Sequence, residues 1–234
     1  MVKKILSTRS PIKTLEKNIK GGFGPGQVGV FASRKGVGKT ACLVQLALDR
    51  LFEEKPVIHV SYASRVDYVI AWYEELFKNL ATRENLKSLM EIHDRIVRNR
   101  VIMNFRQEGM KTEQVLKSLE ALIGPGNFPA RTIIVDGFNF YHPCAADLAL
   151  FKKFAVEREL EFWFSCSLKG EDPLFDQNGL PFVLKDYLEY LDIIITLEHD
   201  NGRVRLNLVK DHDQLTNRKL KLELDPATLL LTRV

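Results

Sequence analysis

The residues best suited to chemistry in this chain are those of the run Ser33-Arg34-Lys35-Gly36-Val37-Gly38-Lys39-Thr40. A loop that wraps a chain of phosphates needs glycines so that successive backbone N–H groups turn inward, a lysine for the outer phosphates, and a hydroxyl that can ligate magnesium. Gly36, Gly38, Lys39 and Thr40 supply these parts. The consensus GxxxxGK[ST] places a glycine where this chain has Ser33, so one of its fixed positions is altered. A magnesium-bound triphosphate also calls for a carboxylate at the end of a neighbouring apolar strand, and Ile133-Ile134-Val135-Asp136 has that form. Together the two motifs predict ATP and Mg2+ binding, with Arg34 to Ala41 around the phosphates and Thr40 and Asp136 on the metal, directly or through water.

Such a loop works only between a strand and a helix. Val28 to Ala32 is short, β-branched and aromatic, and residues 41 to 52, ACLVQLALDRLF, carry apolar side chains at helical spacing. Strand, loop and helix therefore occur in the required order. Downstream the pattern predicts strands at 57–62, 101–105, 132–135 and 162–166. It predicts helices at 65–80, 84–98, 112–123, 147–160 and 182–190. This alternation predicts an α/β fold with a mainly parallel sheet and helices on both faces. The C-terminal part differs: strands at 193–198 and 204–209 flank Asp200-Asn201-Gly202-Arg203, an Asn-Gly hairpin, and short strands follow near 219–224 and 228–232. An antiparallel extension of the sheet is the consequence.

Composition narrows the classes. The 234 residues are 45% hydrophobic and 27% charged, the profile of a folded domain. Three cysteines, Cys42, Cys144 and Cys166, form no CxxC pair, which argues against a disulfide framework or a four-ligand zinc site and for a reducing, cytoplasmic setting. No run of 18 apolar residues occurs, so no membrane partner is expected. The net charge of +4 is concentrated in residues 1–20, where six cations face only Glu16, leaving the remainder at −1. The chain thus reads as a basic N-terminal tail, 1–20, with one short helical turn at Thr14 to Ile19, and a single domain, 21–234. Only the turn-rich GGFGPG at 21–26 separates the two.

With these stretches in hand, residues 11–234 resemble the RecA-like P-loop ATPases, in the branch containing KaiC-type proteins, RadA and the replicative hexameric helicases. QVGVFASRKGVGKTACLVQLAL, HVSYAS, RTIIVDG and RLNLVKDHD with KLELDPATLLL carry the resemblance. It implies a three-layer RecA-like fold, a nucleotide partner and self-assembly into an oligomer. It also implies altered catalysis: Ala63 stands where the family has a water-activating glutamate, and Ser167 where it has a polar sensor. Lys210-Asp211-His212 replaces the Lys-x-Arg that reaches a neighbour's nucleotide, so Lys210 alone is the expected contact in trans; a small shift of alignment would bring Glu74 or Glu75 to the catalytic position instead. The expected protein binds ATP, hydrolyses it weakly or not at all, and acts as a nucleotide-dependent regulator or assembly platform. An active motor on nucleic acid and a P-loop kinase, with 83–106 as its only lid segment, are the competing readings.

Other groups have plainer explanations. His142-Pro143-Cys144 lacks further ligands at metal spacing and reads as a loop. Trp72 and Tyr73 read as packing residues, and Arg95, Arg98, Arg100 and Arg106, diluted by Glu91, Asp94 and Glu108, as a solvated face.

Overall fold

A computed structural model describes residues 10–62, 65–106, 109–200 and 202–234. In it the described residues form a nine-stranded mixed sheet of order β3-β2-β4-β5-β1-β6-β7-β8-β9. The strands are β1 Val28–Arg34, β2 Val57–Ser61, β3 Arg100–Asn104, β4 Thr132–Asp136, β5 Glu161–Leu168, β6 Ile193–Asp200, β7 Arg203–Asp211, β8 Gln214–Leu224 and β9 Leu231–Arg233. Pairing is parallel from β3 to β6 and antiparallel from β6 to β9. The helices are α1 Pro11–Lys17, α2 Lys39–Phe52, α3 Val66–Arg83, α4 Leu89–Arg98, α5 Thr112–Ile123 and α6 Ala145–Glu157.

Strand side chains alternate between two apolar layers. Phe31, Ile134, Trp163 and Ile195 face the layer filled by α1 to α4, while Val30, Val60, Val135 and Phe164 face α5, α6 and a turn of 3-10 helix at Phe182–Tyr187. Helices cover both faces of the sheet, as strands buried on both sides require. No described helix is long and apolar enough to cross a membrane.

Helix α2 is the most enclosed. Its residues from Ala41 to Leu51 are all buried, so its polar side chains must find partners inside the protein. Arg50 forks onto Glu161 at 3.2 and 3.1 Å and reaches Glu16 at 2.6 Å. Gln45 donates to Leu229 O at 2.9 Å and accepts from Leu231 N at 2.7 Å, binding the C-terminal strand to the helix.

Several boundaries differ from expectation. The domain begins before residue 21: Ser10 caps α1 by accepting from Ile12 N at 3.2 Å, and Ile12, Leu15 and Ile19 pack into the core. Their spacing is helical, and the lysines between them disguise the stripe; Lys13 pairs with Glu53 at 2.8 Å. The expected helix 182–190 is only the six-residue 3-10 turn, because Pro181 precedes it and Leu191 already leads into β6. Strand β8 starts at Gln214, five residues before the expected start at 219, since β7 pairs with it from Asp211 onward. Asn201 of the hairpin lies outside the described residues; Asp200 and Arg203 on either side pair as predicted.

His59, at the centre of β2, is fully buried, with Nδ1 3.2 Å from Tyr73 Oη of α3 and Nε2 without a partner among the described residues. Arg100 of β3 and Asp136 of β4 are the charges that face it. Burial lowers its pKa to about 4, the Asp136 charge opposing this and Arg100 adding to it. An unfolded histidine takes its proton near pH 6.5, so the unfolded chain binds more protons between there and pH 4, and stability falls as pH falls through that window. Urea unfolding at pH 7.5 and 4.5 should show a pH-dependent loss in the parent about 2–3 kcal/mol larger than in His59→Leu. Equal losses in the two proteins would show that His59 does not titrate this way.

Candidate functional site

The C-terminal edge of the parallel strands brings the motif residues together. Ser61 of β2 is paired with Asp136 of β4, Val135 with Phe164 of β5, and Ser33 of β1 with Ser167 of β5. Helix α2 starts at Lys39 directly after the glycine loop and packs on β1, β4 and β5. Its first turn therefore lies over the end of β4, and the hydroxyl of Thr40 donates to Asp136 Oδ2 at 2.9 Å. The other oxygen, Oδ1, accepts from Ser165 Oγ at 2.5 Å, and that hydroxyl in turn accepts from Gly137 N at 2.9 Å. The carboxylate is thereby fixed in direction as well as place.

Ser165 is a residue that motif reading missed. Its only signal is parity: Trp163, Ser165 and Ser167 share one face of β5, and a serine there is unusual among the aromatic residues of EFWFSCSL. The strand holding Asp136 is also stiffened from below, because Phe138, Phe140, Phe151 and Phe164 meet edge-to-face at centroid distances of 5.0 to 6.1 Å. An open cleft of ≈ 680 Å³ adjoins this edge and is lined by Tyr62, Lys111, Glu113, Phe138, His142 and Asp147 among others.

Lys39 is buried, and its ammonium donates to Ser33 O at 3.1 Å, Ser33 Oγ at 3.2 Å and Arg34 O at 2.9 Å. Burial lowers its pKa below the ordinary lysine value, and the neighbouring Cys166, Asp136 and Cys42 oppose that shift. Arg34, Lys35 and Gly36 are exposed, with Arg34 held to Gly170 O at 3.0 Å and to Asp172 at 3.1 Å. Val37 packs on the core and Ala41 is buried in α2. Gly36 and Gly38 take φ of +84° and +121°. At Gly38 a Cβ would stand 2.2 Å from Leu224 Cδ2, so the loop is seated against the end of β8.

A carboxylate and a hydroxyl held together beside a lysine and a glycine turn fit a magnesium-bound phosphate chain. Magnesium keeps several waters and takes only one or two protein carboxylates, the rest of its shell coming from phosphate oxygens.

The remaining candidates are placed elsewhere. Ala63 lies outside the described residues. Ser167 is half-buried at the level of Ser33. Glu74 and Glu75 are exposed on α3, where Glu74 meets His93 at 2.7 Å. Lys210 lies on β7. It pairs with Ile194, which is level with Val30 rather than with the loop end of β1, and its buried ammonium donates to Leu191 O at 2.6 Å and to His212 O. The lysine thus closes a turn within its own chain. His212 sits between Gln27 and Asp211, at 2.8 and 3.0 Å. Of the arginine cluster, Arg95 is paired with Glu54 at 3.0 Å and Arg100 lies 4.2 Å from the Tyr73 ring centroid, so these two serve packing. Tyr73 is buried and Trp72 partly so, as packing residues.

Gly38→Ala should cost about 2 kcal/mol or more through left-handed strain and the clash with Leu224. In a Leu224→Ala background the steric part should be relieved, which gives a coupling of about 1 kcal/mol in a double-mutant cycle of urea unfolding. Strict additivity would show that Leu224 does not dictate the glycine. No family model matches this chain, and no curated protein matches it, so the functional reading rests on this geometry and on the sequence.

Proposed function

We propose that the chain is a RecA-like nucleotide-binding protein of the KaiC-like type. Its glycine loop, residues 34–41, holds the phosphates of ATP, with magnesium at Thr40 and Asp136. One observation carries the reading: the 2.9 Å contact between Thr40 Oγ1 and Asp136 Oδ2, two residues 96 positions apart in the sequence. A strand-ending aspartate is common in turns, and a glycine-rich turn is common between strand and helix. Their meeting, with Lys39 next to them and Ser165 orienting the carboxylate, is what phosphate chemistry needs and what neither motif supplies alone.

The residues divide the work. Backbone N–H groups of the loop and of the first turn of α2 face a negative ligand at a helix N-terminus, where the helix dipole favours it. Lys39 adds a positive charge. Thr40 and Asp136 would hold the metal, which when bound supplies charge neutralisation for the phosphate oxygens. Hydrolysis is proposed to be weak, because position 63 carries alanine where the resemblance calls for a carboxylate that activates water. Binding with little turnover suits a nucleotide-dependent regulator or assembly platform better than a motor.

Calorimetric titration with magnesium-ATP should show binding to the parent, weakened on the order of tenfold to a hundredfold in Lys39→Ala, the range for loss of a charged hydrogen-bond donor. An unchanged affinity would place the phosphates elsewhere. Steady-state turnover, with or without single-stranded DNA or RNA, should stay below about 0.1 per second, under the usual enzymatic range, since general-base assistance is worth about 10²-fold or more. Turnover on the order of 10 per second, stimulated by nucleic acid, would restore the motor reading.

A further inference from the structure

The ammonium of Lys39 is more fully occupied than its motif requires. A lysine has three N–H donors. Here they find three acceptors within the loop itself, Ser33 O, Ser33 Oγ and Arg34 O, at 3.1, 3.2 and 2.9 Å. Ser33 is completely buried, and its own O–H donates to Arg34 O at 3.0 Å, which leaves the hydroxyl oxygen's lone pairs for Lys39. The consensus glycine at this position would provide the carbonyl but no hydroxyl. In that case one of the three donors would remain available to a ligand.

We propose that Ser33 is a positioning residue that tethers Lys39 inside the loop, so that phosphate must displace it and the site binds nucleotide more weakly than it would with a glycine or alanine at position 33. The inference rests on the phosphate-binding reading above and adds to it a built-in restraint on affinity. Its physical basis is competition. A bond made only in the free state is lost when Lys39 swings to the phosphates, and the ligand's apparent affinity is reduced by the population held in the tethered arrangement. The neighbouring geometry supports a tether over incidental contact: β1 and β5 clamp Ser33 in register with Ser167, and burial leaves its side chain no water to turn toward.

The test compares the parent with Ser33→Ala, Ser33→Gly and the hydroxyl-restoring Ser33→Thr, with thermal unfolding as a check on folding. Magnesium-ATP should bind Ser33→Ala and Ser33→Gly about 3- to 10-fold more tightly than the parent, and Ser33→Thr about as the parent does. Should Ser33→Thr fail to fold, Ser33→Ala and Ser33→Gly carry the comparison. Equal or weaker ATP binding by Ser33→Ala, or a tightening in Ser33→Thr as large as that in Ser33→Ala, overturns the tether and leaves the phosphate-binding reading intact. If instead Lys39→Ala binds ATP as the parent does, that reading fails and the proposed restraint with it.

Discussion

The enclosure of α2 is the constraint on which the rest of the structure depends. A helix buried around its whole circumference cannot be oriented by an apolar stripe, since every face is equally content in the core. Its polar groups fix it instead. Arg50 is locked to Glu161 and Glu16 at one end, Gln45 is sewn to the backbone of Leu229 and Leu231 at the middle, and Thr40 is bound to Asp136 at the other. Removing one partner of a buried charged pair strands the other, at a cost of about 3–5 kcal/mol, so these contacts specify the helix's rotation and axial position even where they add little net stability. The first turn of α2 consequently falls over the end of β4 and nowhere else.

That placement makes the candidate site a product of the core. Lys39 and Thr40 point where they do because eleven following residues are clamped, and Asp136 faces them because β4 is held between β2 and β5. Ser165 adds the last restraint by holding the second carboxylate oxygen at 2.5 Å. A site assembled in this way is already organised before any ligand arrives, which lowers the ordering cost of binding. The exception is Lys39, whose ammonium is turned into the loop rather than out of it.

What the sequence made legible follows from the range of the interactions. The glycine loop and Asp136 could be read because a strand, a turn and a helix N-terminus are local devices with local signatures. The parallel sheet and its antiparallel extension could be read because period-2 strands alternate with helices and then cease to. Ser165 and Leu224 could not be read, since each matters only through a residue far away in sequence, Asp136 and Gly38. Helix α1 was legible only as a single turn: Lys13 and Lys17 weigh on its composition, while Ile12 and Leu15, which with Ile19 just beyond it pack into the core, are few. The surroundings of Lys210 could not be read either, since its position along β7 depends on the hairpin's register with β6, which puts it level with Val30.

The two edges of the parallel sheet use charge in opposite ways. At the N-terminal edge cations and anions are matched: Lys152 meets Asp192 at 2.6 Å, Asp192 also accepts from Val28 N at 2.7 Å, and Arg50 and Glu161 satisfy each other. Such pairs close the lower edge of the layered sheet and helices and leave little capacity for a ligand. At the C-terminal edge the groups are assembled but not spent in the same way. Among the described residues Asp136 is held by two hydroxyls and no cation, Lys39 is held by carbonyls and a hydroxyl and no anion, and the two stand near enough for their charges to interact. A carboxylate and an ammonium kept close yet unpaired retain their capacity for a ligand that carries both signs, and a metal-bound phosphate chain presents a cation to the first and anionic oxygens to the second.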